Sequence, residues 1–240
     1  MRPVSLLGNR YAASACMAFC LINQGFAGEP GKLTEELWTG IGGYTVSSLT
    51  SNSGFPSSPT SVTKIAGVEP ASNIGDNYGR RLRGYLTASQ TGNYTFWVAG
   101  DDNCELWLST DSGVSGKRMI ASVNGSGGWT NFRQWDKFPT QKSATIALVQ
   151  GERYYLEVLQ KEGNGGDNLS IAWQEPSGVR TVIPASAVDA YEANPNDVDN
   201  DGLPDDWEAA NGLSTGAATG AQGNNGANGD PDGDGFTNRE

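Results

Sequence analysis

The chain has 240 residues, with 16 Lys and Arg against 27 Asp and Glu, and a formal net charge of -11. Such a chain repels nucleic acid and anionic membrane surfaces, which removes both as partners. It contains no His, which excludes His-based catalytic triads and the usual zinc sites; the ligands left in number are hard oxygens, which select calcium or magnesium.

Arg2 and Arg10 flank the start of a mostly apolar stretch over residues 11–22, and Gly25, Phe26 and Ala27 lie among small residues that offer a cut after Ala27. This is the layout of a secretory signal peptide over 1–27, so a secreted, extracellular or cell-surface protein is expected. A retained anchor is the alternative, but the run is short for a bilayer and interrupted by Ser14, Asn23 and Gln24. A lipoprotein site at Cys16 is weaker, because Ala13 rather than a large aliphatic stands three residues before it. Cys16 and Cys20 leave with the signal, so Cys104 has no partner for an intramolecular disulfide.

Residues 28–193 read as one domain. The Ser-, Thr-, Gly- and Pro-rich stretch over 45–63 reads as a surface excursion. After it come short runs at strand spacing, bounded by turn residues: 81–87, 94–98, 105–108, 144–148, 154–159 and 169–173. No long stretch has a helical period. The fold class expected is all-β, an antiparallel β-sandwich or barrel, and the length suffices for one such domain with a real core.

Two segments carry a resemblance. Residues 91–102 (TGNYTFWVAGDD) lead into Glu105, Leu106, Trp107 and Leu108, and 151–158 (GERYYLEV) lead through 161–169 (KEGNGGDNL) to Ala172 and Trp173. In this order the chain resembles the PA14 domain family over roughly 80–176. The resemblance implies a β-sandwich of the kind found in bacterial toxins, adhesins and glycosidases, in several of which it binds carbohydrate. In the sugar-binding members an Asp-Asp pair joined by a cis peptide holds a calcium ion to which vicinal hydroxyls coordinate, and by position that pair is Asp101 and Asp102. The loop before the last strand supplies further ligands, for which Glu162 and Asp167 are the candidates. A polar turn without a ligand is the alternative at 101–103. Trp129 and Trp135, in a Gly- and Asn-rich region, either stack on a sugar face or are core aromatics.

The tail, 194–240, has ten acidic residues against one basic residue, Arg239. Asp197, Asp199 and Asp201 take the first, third and fifth positions of a calcium loop, Gly202 the sixth, Leu203 the carbonyl seventh, Asp205 the water-mediated ninth and Glu208 the twelfth. Asp230, Asp232, Asp234, Phe236 and Asn238 repeat the pattern, with the twelfth position one residue past Glu240. That register reads either as a piece of a longer protein or as an incomplete last loop. Pro195 and Pro204 disfavour the entering helix and the pairing N–H of an EF-hand, so the loop resembles a thrombospondin type 3 or dockerin-like repeat, with a short exiting helix over 206–210. An acidic linker without metal is the alternative. Residues 212–228 read as a flexible spacer.

The function expected is a calcium-dependent carbohydrate-binding or adhesion module, with Ca2+ as cofactor and a glycan or polysaccharide, or a cell-surface protein, as partner. The alternative is a non-catalytic spacer domain of a larger surface protein, its tail rigidified by calcium. Catalysis is not expected. A glycoside hydrolase needs two carboxylates flanking the scissile bond, and the adjacent Asp101 and Asp102 do not supply that, although a catalytic domain could accompany the module.

Overall fold

The computed structural model describes residues 28–124, 127–193, 196–198 and 203–215. Two antiparallel sheets face each other. The larger contains β1 (Lys32–Thr39), β2 (Ser61–Ala66), β3 (Tyr78–Thr87), β5 (Cys104–Leu108), β6 (Arg118–Val123), β8 (Arg153–Glu162) and β11 (Val188–Ala190), in the order β2-β1-β3-β8-β5-β6. β11 pairs with residues 84–86 of β3, beyond the part that β1 covers. The smaller contains β4 (Gly92–Asp101), β7 (Ile146–Leu148), β9 (Asn168–Gln174) and β10 (Thr181–Val182), in the order β10-β9-β4-β7. The expected all-β sandwich is the fold observed.

Alternation of side chains along the strands builds the core between the sheets. Leu82 and Leu86 of β3, Tyr94, Phe96 and Val98 of β4, Leu106 and Leu108 of β5, Leu156 and Val158 of β8, and Leu169, Ile171 and Trp173 of β9 all belong to one buried cluster. Each such side chain contributes about 1.5–3 kcal/mol relative to exposure. Period two continues toward one end of the sandwich with polar residues. Tyr78 and Arg80 on β3, and Gln160 and Glu162 on β8, occupy the inner-face positions that follow Leu82 and Val158, and all four are buried. The apolar core stops there.

The outer face of the large sheet has its own small core of Trp38, Ile41, Val46, Leu49 and Leu159, with Phe55 packed against it. This corrects the reading of 45–63 as a surface excursion. The segment forms α1 (Val46–Thr50) and the start of β2, and one helical turn is enough for Val46 and Leu49 to reach the sheet together. Gly79 makes room: a Cβ there would lie 2.4 Å from Leu49 Cδ1. Beside this core the charges of β1 and β3 pair across the ladder. Glu36 binds Arg81, and Arg83 Nη2 lies 2.7 Å from Glu36 Oε1; on the inner face of the same two strands, Arg80 Nε lies 2.8 Å from Glu35 Oε1.

Candidate cation-binding site

β4 ends at Asp101 in the small sheet and β5 begins at Cys104 in the large one, so Asp101, Asp102 and Asn103 form the turn that carries the chain from one sheet to the other. The Asp101–Asp102 peptide is cis, as the resemblance implied. Glu162 ends β8 on the opposite sheet. One carboxylate oxygen from each of Asp101, Asp102 and Glu162 lies within 4.8 Å of the others, the one such acidic group of three among the described residues. The backbone fixes two of them. Asp102 N–H donates to Glu162 Oε2 at 3.1 Å, and Gly163 N–H donates to Asp102 Oδ2 at 2.9 Å.

Asp167, the fourth residue expected here, stands at the foot of β9. Its Oδ2 accepts from Ile74 N–H at 2.7 Å, and its charge is felt at both Asp101 and Glu162. One acceptor is left over: Glu162 Oε1 is buried without a hydrogen-bond partner on a residue 0% exposed, while the Asp167 carboxylate, on a residue 2% exposed, also has the Tyr78 hydroxyl beside it. A buried carboxylate oxygen with nothing to bond is costly unless a cation or proton satisfies it. Hard oxygens converging from two sheets, with unsatisfied lone pairs, fit Ca2+ or Mg2+.

The electrostatics agree. Burial, then the neighbouring Asp102 and Asp101, push the Glu162 carboxyl up to about 7; burial, then Asp102 and Asp167, push Asp101 up to about 6, against the pull of Lys137. In metal-free protein the stability tied to these two groups is therefore fully present below their unfolded values, near about 4, and is lost as pH rises through 6 and 7. Cation binding needs both groups deprotonated, so its affinity should climb over the same window, with protons released. Thermal melts from pH 4.5 to 8, in chelator and in calcium, check this: the two curves should diverge with rising pH, and Glu162→Gln should flatten the divergence. Parallel curves would contradict it.

A loop pinned to β4 borders the cluster. Thr130 N–H donates to Gly100 O and Gly100 N–H to Thr130 Oγ1, both at 2.8 Å, while Asn168 Nδ2 donates to Thr130 O at 2.9 Å. Buried Gln141 holds the far side, with Nε2 on Val98 O and Gln134 O and Oε1 accepting from Lys137 and Phe138 N–H. The loop presents Trp129, which is 41% exposed and so is not a core aromatic; Trp135 is half-buried. The Lys137 ammonium sits 3.5 Å from the Trp129 ring centroid and donates to its carbonyl at 2.6 Å.

In the tail, Asp197, Leu203 and Glu208 are all buried, and α2 (Asp205–Ala210) follows Pro204 where the exiting helix was expected. Asp205 N–H donates to Asn196 O at 2.7 Å, and Val198 N–H donates to Asp205 Oδ1 at 2.9 Å, so the ninth-position carboxylate braces the loop's start. Asp199, Asp201, Asp230, Asp232, Asp234, Phe236, Asn238 and the signal segment 1–27 lie outside the described residues. Sequence reasoning missed Arg80 and Gln160. Their position two residues from Leu82 and Val158 is the signal that could have found them.

Comparison with known proteins follows this geometry. The chain is 37% identical over 122 residues to N-acetyl-beta-glucosaminyl-glycoprotein 4-beta-N-acetylgalactosaminyltransferase 1 of Mus musculus, covering 50% of this chain and 11% of that protein. It is 32% identical over 124 residues to fibrocystin of Mus musculus, covering 47% of this chain and 3% of that one. The chain thus spans about a tenth or less of the length of these curated relatives. Among solved structures it is similar to the PA14 domain of the MpAFP antifreeze protein, at 13% identity and TM-score 0.50, covering 68% of this chain and 93% of that one. It also aligns with the PA14 sugar-binding domain from an RTX adhesin at 17% identity and TM-score 0.49, covering 68% and 99%. Such likenesses speak to the fold alone. The family model described as PA14 domain matches residues 57–187, wider than the segments that carried the resemblance and more than half of the sequence, and the chain belongs to the PA14 domain family.

Proposed function

We propose that this chain is a non-catalytic, calcium-dependent carbohydrate-binding module of a secreted or cell-surface protein. The observation that carries the reading is the Asp101, Asp102 and Glu162 cluster, with the buried, unpartnered Oε1 of Glu162 facing no protein donor. Asp101, Asp102 and Glu162 are the residues that hold the cation, and Asp167 supports them from the foot of β9. A hard cation bound there offers open coordination positions that hydroxyl oxygens of a sugar can fill. Trp129, with the Lys137 ammonium over one face of its ring, offers the other face to a sugar ring. Membership in a family with sugar-binding members supports the ligand class. The adjacency of Asp101 and Asp102 on one turn argues against a pair of acid and base working from opposite sides of a bond.

A glycan array probed with the full chain tests this. Binding to a set of glycans should vanish in chelator and return with calcium, and Trp129→Ala should weaken it about 10-fold, roughly the loss of one stacking face, while leaving calcium affinity intact. Glycan binding that survives both chelator and Asp101→Ala removes this site from the account.

A second reading, a spacer with a thrombospondin type 3 or dockerin-like tail stiffened by calcium, is favoured by the burial of Asp197 and Glu208 in so short a segment. Small-angle scattering should then show a more compact or stiffer particle in calcium than in chelator. Superimposable profiles would defeat that reading.

A further inference from the structure

Gln160 is wholly buried on the inner face of β8, two residues before Glu162, and every hydrogen-bonding atom of its amide is engaged. Nε2 donates to Asp101 O at 2.6 Å and to Asn168 O at 3.0 Å. Those carbonyls belong to directly paired residues, Asp101 and Asn168, the last rung of the β4–β9 ladder. One side chain of the large sheet therefore grips the end of the small sheet where the acidic turn between the sheets begins. Its orientation is not free. Arg80 Nη1 donates to Gln160 Oε1 at 2.8 Å, and a guanidinium cannot accept, so the NH2 end must face the two carbonyls.

Arg80 is itself fixed and fully buried. Nη2 donates to Ala71 O at 3.0 Å, the guanidinium lies 5.2 Å from the Tyr78 ring centroid, and Nε is ion-paired with Glu35 at 2.8 Å. The line from Glu35 on β1 through Arg80 on β3 and Gln160 on β8 to Asp101 O thus runs across three strands of the large sheet to the end of the small one. Glu162 comes from the large sheet, Asp101 from the end of the small one and Asp102 from the turn between them, and this line is a side-chain tie between the two sheets at that level.

We propose that Gln160, oriented by Arg80, sets the spacing of the carboxylates across the two sheets and thereby which divalent cation they accept. Gln160 is a positioning residue and not a ligand. The inference rests on the cation reading given above. Cations of different size demand different ligand spacing, and calcium tolerates a range of geometry that magnesium does not, so a fixed cross-sheet distance selects by size. Outer partners that orient ligands commonly alter metal affinity 10- to 100-fold when replaced.

The test is a titration of the full chain with calcium, strontium and magnesium, followed through the amide signals of Asp102 and Gly163, which report this site and not the tail. Gln160→Met keeps the volume and removes the amide. It is expected to weaken calcium binding by about 10- to 100-fold and to change the calcium-to-strontium preference, with circular dichroism unchanged. Glu35→Gln, at the half-buried end of the line, should shift the preference in the same direction by less. An unaltered preference in Gln160→Met overturns the proposal, even if affinity falls, because a merely structural loss weakens all three cations alike. Should Gln160→Met fail to fold, an unaltered preference in Glu35→Gln overturns it instead. Wild-type protein whose Asp102 and Gly163 signals do not respond to any cation overturns the underlying reading as well, an outcome distinct from a responsive wild type with an unaffected variant.

Discussion

Asp102→Ala is expected to weaken calcium binding at the acidic 101–103 turn by about 100-fold or more, and to abolish glycan binding with it. A hard cation held by few protein charges depends heavily on each, and loss of an orienting partner alone commonly costs 10- to 100-fold. Asp102 does two things. Its carboxylate is one of the three that converge, and its Oδ2 is the acceptor for Gly163 N–H, the residue after Glu162. Ala removes the charge and also loosens the hinge that carries Glu162. Asp101→Asn separates these effects, since it removes a charge that burial and Asp102 already disfavour. In chelator Asp101→Asn should melt higher than the wild type above pH 6, while binding calcium far more weakly. Calorimetric melts with and without calcium read both signs; an Asp101→Asn protein less stable than wild type in chelator at pH 8 would show that repulsion is not what strains the metal-free site.

Glu36→Ala is expected to have the largest effect on stability of any single charge removal among the described ion pairs, about 3–5 kcal/mol. Glu36 accepts from both Arg81 and Arg83, and its side chain is 5% exposed. Arg81 is buried against one side of the Trp38–Phe55 ring pair, 5.5 and 5.4 Å from their centroids, with Nη2 donating to Pro56 O, so it does not readily turn to water when its partner goes. Two guanidinium groups would then remain in a semi-buried setting with no carboxylate between them. For a domain of this size the melting midpoint should fall by about 10 °C. Glu69→Ala is the contrast. Its bidentate partner Arg133 has half its side chain in water, and exposed pairs contribute about 0–1 kcal/mol. Urea unfolding of the two variants should separate them clearly, and equal losses would show that burial does not govern these pairs.

The strands of the site were readable before the structure because their own residues announce them. β4, β5, β8 and β9 alternate apolar and polar residues between turn signals, and Asp101-Asp102 sits at the turn that ends β4. β1 was not readable, because Glu35 and Glu36 break its alternation and become explicable only opposite Arg80, Arg81 and Arg83 of β3. α1 was hidden among Ser and Thr, since its two buried residues matter only against Leu159 and Trp38. The same holds within the site. Glu162 could be named by resemblance, but Gln160 and Arg80 gain meaning only from the register that sets them side by side and from the small sheet lying opposite. Trp129 is ambiguous as a letter in a Gly-rich run, and its exposure follows from the pinning of its two chain neighbours, Gly128 by Asn103 and Thr130 by Gly100.

The most direct test of the central claim is a calcium titration of isotopically labelled protein read at the Asp102 and Gly163 amides. Asp102 N–H donates to Glu162 Oε2 and Gly163 N–H to Asp102 Oδ2, so both hydrogen bonds feel any charge placed among the three carboxylates. Saturable shifts of these two signals, lost in Asp102→Ala and accompanied by glycan binding, are the result expected. Calcium shifts confined to residues of the 197–208 segment, with Asp102 and Gly163 unmoved, would contradict the claim that the turn between β4 and β5 is a cation site.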